Sequence, residues 1–165
     1  MSRQRSSTKQ ELPDPTFFVD ADLNDSAFHE VLVAAGIRFE RHDAHFKPGT
    51  NDEEWMQKAG PLGWIVLTHN KKIRWQKAQT ERLMEAGVGA FMLIGKAKPN
   101  PPGQKSVFTR ELAENFVLAL PGVRQFIKRH PTPWIAKLYR PGGRIGSGPG
   151  QIKMWLTLQQ FLKCR

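Results

Sequence analysis

Three runs of consecutive apolar residues constrain this chain more than anything else in it: Phe17-Phe18-Val19, Trp64-Ile65-Val66-Leu67 and Val88 to Ile94. Each is of strand length, and apolar residues on successive positions predict a strand buried on both faces, as in a parallel sheet covered by helices. Between the first two, Ala27, Phe28, Val31, Leu32 and Ala35 recur at helical spacing, and Ile37 to His42 alternates like a half-buried strand. The pattern predicts strands over 16–20, 37–42, 63–68 and 88–95 and helices over 26–35, 52–59, 74–86, 107–119 and 122–129. Strands alternating with helices specify a three-layer α/β/α sandwich with a mostly parallel central sheet.

The flanking segments are less regular. Residues 1–14 read as a flexible leader closed by Pro13 and Pro15, residues 15–140 as one domain, and residues 141–165 as a basic Gly- and Pro-rich tail. The segment 43–51 reads as a loop with His42 and His45 as loop histidines, and 96–106 as a mobile loop. Prolines beside Trp134 to Tyr139 predict an edge strand at 132–139, and Trp155, Leu158 and Leu162 predict a terminal amphipathic helix over 152–165. The single cysteine, Cys164, excludes an internal disulfide, and no apolar run approaches the roughly 18 to 20 residues of a membrane span, so a cytoplasmic protein is expected. Of the net charge of +10, residues 121–165 supply nine Lys and Arg against no acid. Such a segment is either a solvated tail or a contact for a polyanion.

Polar residues gather where the strands stop. Asp20 and Asp22 follow the first apolar run, and Thr68-His69-Asn70-Lys71-Lys72 follows the second. Ligands of open α/β sheets bind outside the carboxyl ends of the strands, which places these groups where chemistry is done. Asp20 and Asp25 also suit ordinary caps, and Thr50-Asn51-Asp52-Glu53 has the form of a capping box, which accounts for acids at a helix start without catalysis.

Taken together, Val19-Asp20-Ala21-Asp22-Leu23, Asn51 to Ala59 and Ile65 to Lys71 resemble, in order and spacing over about residues 16–94, the PIN-domain superfamily of nucleases, specifically short PIN-like proteins related to the toxins of bacterial toxin–antitoxin pairs. The resemblance implies a metal-dependent ribonuclease. Asp20 corresponds to the first metal-binding acid, Asp52 to the acid that starts the helix and Asn70 to the last polar position, with Thr68 as a supporting and substrate-facing hydroxyl. Glu53 and Glu54 adjoin the second of these, and Glu30 and Asp43 are candidates for a further acid. Oxygen ligands of this kind select Mg²⁺ or Mn²⁺, and Lys71, Lys72 and Arg74 would meet phosphates flanking the scissile one. The implied partners are RNA, an antitoxin protein and a second copy of the chain.

Two other readings stay open. A non-catalytic PIN-like module would bind RNA or protein without cleavage. A phosphatase of the haloacid dehalogenase kind would use Asp20 as a nucleophile, since Asp20-x-Asp22 follows an apolar strand, but no paired acidic motif follows Gly95.

Overall fold

The apolar runs pair with one another. In the computed structural model, which describes residues 15–47, 50, 52–69, 77–95, 105–140 and 151–163 (residues 52–53 and 105–107 through their backbone), β1 (Phe17–Val19) lies between β2 (Phe39–Arg41) and β3 (Ile65–Thr68), parallel to both. Next to β3 come β4 (Gly89–Ile94), β5 (Trp134–Tyr139) and β6 (Ile152–Thr157), giving the order β2-β1-β3-β4-β5-β6 with only β6 antiparallel. The helices are α1 (Ser26–Ala34), the single turn α2 (His42–His45), α3 (Asp52–Leu62), α4 (Lys77–Ala86), α5 (Lys105–Leu118), α6 (Leu120–Arg129) and α7 (Leu158–Lys163).

Alternation along the strands divides the core in two, because successive side chains of a strand point to opposite faces. Phe17, Val19, Ile65, Leu67, Phe91 and Leu93 pack with Phe28 and Leu32 of α1 and with Leu112 and Phe116 of α5. Phe18, Val66, Ala90 and Ile135 pack on the other side with Trp55 and Met56 of α3, Leu83 and Met84 of α4, and Phe161 of α7. The ring of Phe18 stacks on both Trp55 and Trp64, each at 5.6 Å between centroids. Both faces are therefore buried, as consecutive apolar residues require, and the chain is an α/β sandwich of three layers. Among the described residues, no helix is long and apolar enough to cross a membrane.

Several expectations are corrected. The stretch at 132–139 is not an edge strand: β5 pairs with β4 along six positions and with β6 on its other side. Pro131 and Pro133 precede its first residue, so they withdraw no amide from either ladder. The terminal stretch is a strand followed by a short helix, not one helix. Leu158 and Leu162, two of the three residues of the expected helical stripe, stay 39% and 53% exposed, while Ile152 to Thr157 meets the open backbone edge of β5. Residues 152–163 thus belong to the sheet and its covering layer, not to a tail. His42 to His45 form a helical turn rather than loop, with His42 buried against Phe18 and Phe46. The Thr50 hydroxyl donates back to the Lys47 carbonyl at 2.6 Å, and the Glu53 side chain of the expected capping box lies outside the described residues. The leader 1–14, the segments at 96–104 and 141–150, and Cys164 lie outside the described residues.

α3 and α4 touch at Gly60, where a Cβ would collide with the Ala86 carbonyl oxygen. Backbone oxygen cannot rotate out of the way as a side chain can. Gly60→Ala is expected to lower stability by about 1–3 kcal/mol, the usual range for overpacking, read as a drop in thermal midpoint; an unchanged midpoint would mean that the two helices can part without loss.

Candidate functional site at the carboxyl ends of β1 and β3

From β1 the chain moves to β2 on one side and then to β3, β4 and β5 on the other. The order reverses between β1 and β3, and connections leaving in opposite directions open a crevice just beyond their carboxyl ends. Asp20 follows β1 directly and Thr68 is the last residue of β3. The Asp20 amide donates to the Leu67 carbonyl at 3.1 Å, which carries the ladder one residue past the strand and sets Asp20 opposite Thr68.

Both Asp20 oxygens are engaged. Oδ1 accepts from the Ala21 amide at 2.7 Å, capping the 3-10 turn Ala21–Leu23, and Oδ2 accepts from the Thr68 hydroxyl at 2.9 Å. That turn folds Asp22 back toward β3, where its Oδ2 accepts from the His69 amide at 3.0 Å and lies 3.5 Å from the same Thr68 hydroxyl. One hydroxyl thus stands between two carboxylates separated by a single residue in the chain. Asp20 is 5% and Thr68 1% exposed. Thr68, expected to face substrate, is buried and turned to the acids instead. Two anions so close repel one another in a site shielded from water unless hydrogen-bond donors or a cation offset them.

Thr68→Val keeps the shape and removes the donor. Leaving a buried carboxylate oxygen without that bond costs about 1–3 kcal/mol, so a lowered thermal midpoint is expected; Thr68→Ser should restore most of it, and a Val variant as stable as the native chain would show that the bond contributes nothing.

His69 stands in the polar cluster after the second apolar run, but sequence reasoning assigns it no role. Its Nδ1 is 2.8 Å from the Leu93 carbonyl oxygen, and because a carbonyl only accepts, Nδ1 carries the proton in this pairing. The ring meets Phe108 edge-on at 4.9 Å. No spacing in the sequence signals this, since the partner carbonyl lies on the neighbouring strand, 24 residues away.

The other candidates are placed as follows. Asp52 and Glu53 open α3, whose first turn sets Trp55 over Phe18 of β1; their side chains lie outside the described residues, as do Asn70, Lys71, Lys72 and Arg74. Glu54 is exposed. Glu30 pairs with Arg110 at 3.0 Å across α1 and α5. Asp43 takes two hydrogen bonds from Arg41, at 2.6 and 3.0 Å, which hold its carboxyl below the usual range. Asp25 caps α1, accepting from the Ala27 amide at 2.8 Å. Beside this group, burial and then the Arg41 charge push the His29 imidazole below its ordinary value of 6.5.

A hard divalent cation suits the chemistry of two carboxylates at a strand end. Among the described residues, however, no group of three His, Cys, Asp or Glu stands close enough to hold a metal ion. The described part therefore offers two acids, Asp20 and Asp22.

Residues 15–95 match the model of a family described as a PIN like domain. The match runs from just before β1 to just after β4 and contains Asp20, Asp22 and Thr68, while β5, β6 and α5 to α7 lie beyond it. No curated protein and no solved structure matches the chain. The chain contains a PIN-like domain.

Proposed function

We propose that this protein is a metal-dependent ribonuclease of the PIN-like kind, acting in the cytoplasm as a toxin or in RNA processing. The observation that carries the reading is the pair Asp20 and Asp22, joined through the Thr68 hydroxyl at the switch point of the sheet. In this reading Asp20 and Asp22 are joined by Asp52, Glu53 and Asn70 as oxygen ligands of Mg²⁺ or Mn²⁺, and Lys71, Lys72 and Arg74 grip phosphates beside the scissile one. A divalent cation, when bound, supplies a Lewis acid for the phosphodiester and a water of lowered pKa. The chain's own part is orientation. The Ala21 amide and the Thr68 hydroxyl set the plane of the Asp20 carboxylate, and the His69 amide sets that of Asp22. A carboxylate has about four lone-pair sites, so being oriented and holding a cation are compatible.

The test is cleavage of an end-labelled single-stranded RNA by the purified chain with Mg²⁺, with Mn²⁺ and with EDTA. Cleavage that EDTA stops and Mn²⁺ restores supports the proposal; cleavage indifferent to chelation refutes it. The non-catalytic reading is favoured by one observation, that only two acids converge among the described residues. RNA binding without cleavage under any metal would select it. A nucleophilic role for Asp20, as in a phosphatase, fits less well with a side chain 5% exposed whose two oxygens already accept hydrogen bonds.

A further inference from the structure

His69 is held from three sides. The β3–β4 ladder ends with Thr68 opposite Met92, and the Leu93 carbonyl, one residue past that last pair, accepts from His69 Nδ1 at 2.8 Å. Phe108 meets the ring edge-on at 4.9 Å and comes that close because residue 95 is glycine, where a Cβ would stand 2.7 Å from the Phe108 ring. The His69 amide donates to Asp22 Oδ2 at 3.0 Å, which ties the backbone of the same residue to the crevice. An imidazole fixed in this way has one orientation and one tautomer, so what its remaining edge offers is set before any ligand arrives.

That edge is Nε2. The two nitrogens of an imidazole face in nearly opposite directions, and with Nδ1 turned to Leu93 the other looks away from the strand. Among the described residues Nε2 has no hydrogen-bond partner, and it is not one of the side-chain atoms closed off from solvent. The residue as a whole is half-buried. Because Nδ1 carries the proton of the neutral ring, Nε2 accepts and does not donate. Capping a carbonyl past the end of a strand accounts for Nδ1. It leaves Nε2 without a task.

The chemistry of the neighbourhood narrows what Nε2 can hold. Asp20 and Asp22, at the same end of the sheet, offer acceptors, and so do phosphate oxygens; none of these bonds to another acceptor. A shared cation does not fit either, since among the described residues no group of three His, Cys, Asp or Glu stands close enough to hold one. An acceptor beside a polynucleotide backbone takes a hydroxyl, and the backbone of RNA contains a single donor, the ribose 2′-hydroxyl, which DNA lacks.

We propose that His69 selects ribose, its Nε2 accepting from the 2′-hydroxyl of a nucleotide whose phosphate lies at the Asp20 and Asp22 pair. The proposal rests on the ribonuclease reading for its ligand class, while its test reads binding without metal and not cleavage.

The test measures anisotropy of fluorescein-labelled oligouridylates that differ only at the 2′ position, titrated with the full chain in alkaline buffer with EDTA. The native chain is expected to bind the 2′-hydroxyl strand roughly fivefold more tightly than the 2′-deoxy strand, the size of one net hydrogen bond. A 2′-fluoro strand keeps the ribose pucker but has no donor, and should bind as the deoxy strand does. H69N keeps a donor in the place of Nδ1 and has no atom in the place of Nε2. It is expected to melt within a few degrees of the native chain and to bind all three strands alike. H69Q, whose amide oxygen reaches the place of Nε2, is expected to keep the preference and decides the matter if H69N does not fold. The proposal is overturned if the native chain binds the strands equally or binds none, if the fluoro strand binds as the hydroxyl strand does, if a folded H69N keeps the native preference, or if, with H69N unfolded, H69Q loses it. A ribose preference that H69N abolishes, in a chain that cleaves RNA with no metal, refutes the ribonuclease reading and leaves ribose selection standing.

Discussion

Replacing Asp20 by Asn is expected to abolish metal-dependent RNA cleavage while leaving the fold in place. The asparagine oxygen can still accept from the Ala21 amide, 2.7 Å away in the native chain. Its amide nitrogen meets the Thr68 hydroxyl, which can accept instead of donate and turn its proton toward Asp22 Oδ2, 3.5 Å from it. The hydrogen-bond count therefore survives and the thermal midpoint should move by only a few degrees. The negative charge does not survive. Metal-ion catalysis supplies several kcal/mol of transition-state stabilisation, and losing about 4 kcal/mol of it slows the reaction about a thousandfold. The measurement is the single-turnover rate on an end-labelled RNA at saturating Mn²⁺. A variant that retains native rates sinks the ribonuclease proposal. One that loses activity together with its cooperative melt would show that Asp20 is needed for the fold.

Ending the chain at Arg140 is expected to prevent stable folding. The truncation removes β6 and α7 and leaves β5, whose Trp134, Ile135, Ala136 and Leu138 are all at most 2% exposed, as an open edge. It strips Ile152 and Met154 from one core cluster and Trp155, Leu156 and Phe161 from the other. At about 1–2 kcal/mol for each partly or fully buried side chain, the loss is about 5–10 kcal/mol, comparable with the whole stability of a domain of this size. Far-ultraviolet circular dichroism and size-exclusion chromatography should show an unfolded or associating chain, because an uncovered apolar strand edge also templates pairing between molecules. A truncated monomer that melts cooperatively near the native temperature would mean that the sheet is complete at β5.

The parts legible in the sequence were those specified locally. Phe17-Phe18-Val19 and Ile65-Val66-Leu67 announce a sheet covered on both sides, because neither face of such a run tolerates water. Asp20 and Thr68 could be singled out because strand ends are where an α/β sheet meets its ligands. The misreadings arose where a partner distant in sequence decides the conformation. Trp155, Leu158 and Leu162 satisfy a helical spacing, yet the unpaired backbone of β5 draws Ile152 to Thr157 into a ladder that hydropathy does not encode. Trp134 to Tyr139 reads as an edge strand only while that second neighbour is unknown.

Taken alone, the sequence determined the layer architecture, the alternation of strands with helices and the family resemblance, since each is a matter of hydrophobic period and local spacing. Only the tertiary structure decided which strands lie side by side and in what register. That register sets Asp20 against Thr68, 48 residues on, and Lys137 against Lys153. The physical reason is that a ladder hydrogen bond joins backbone groups common to almost every residue, so its partner is chosen by the packing of the whole sheet and not by the side chains it brings together.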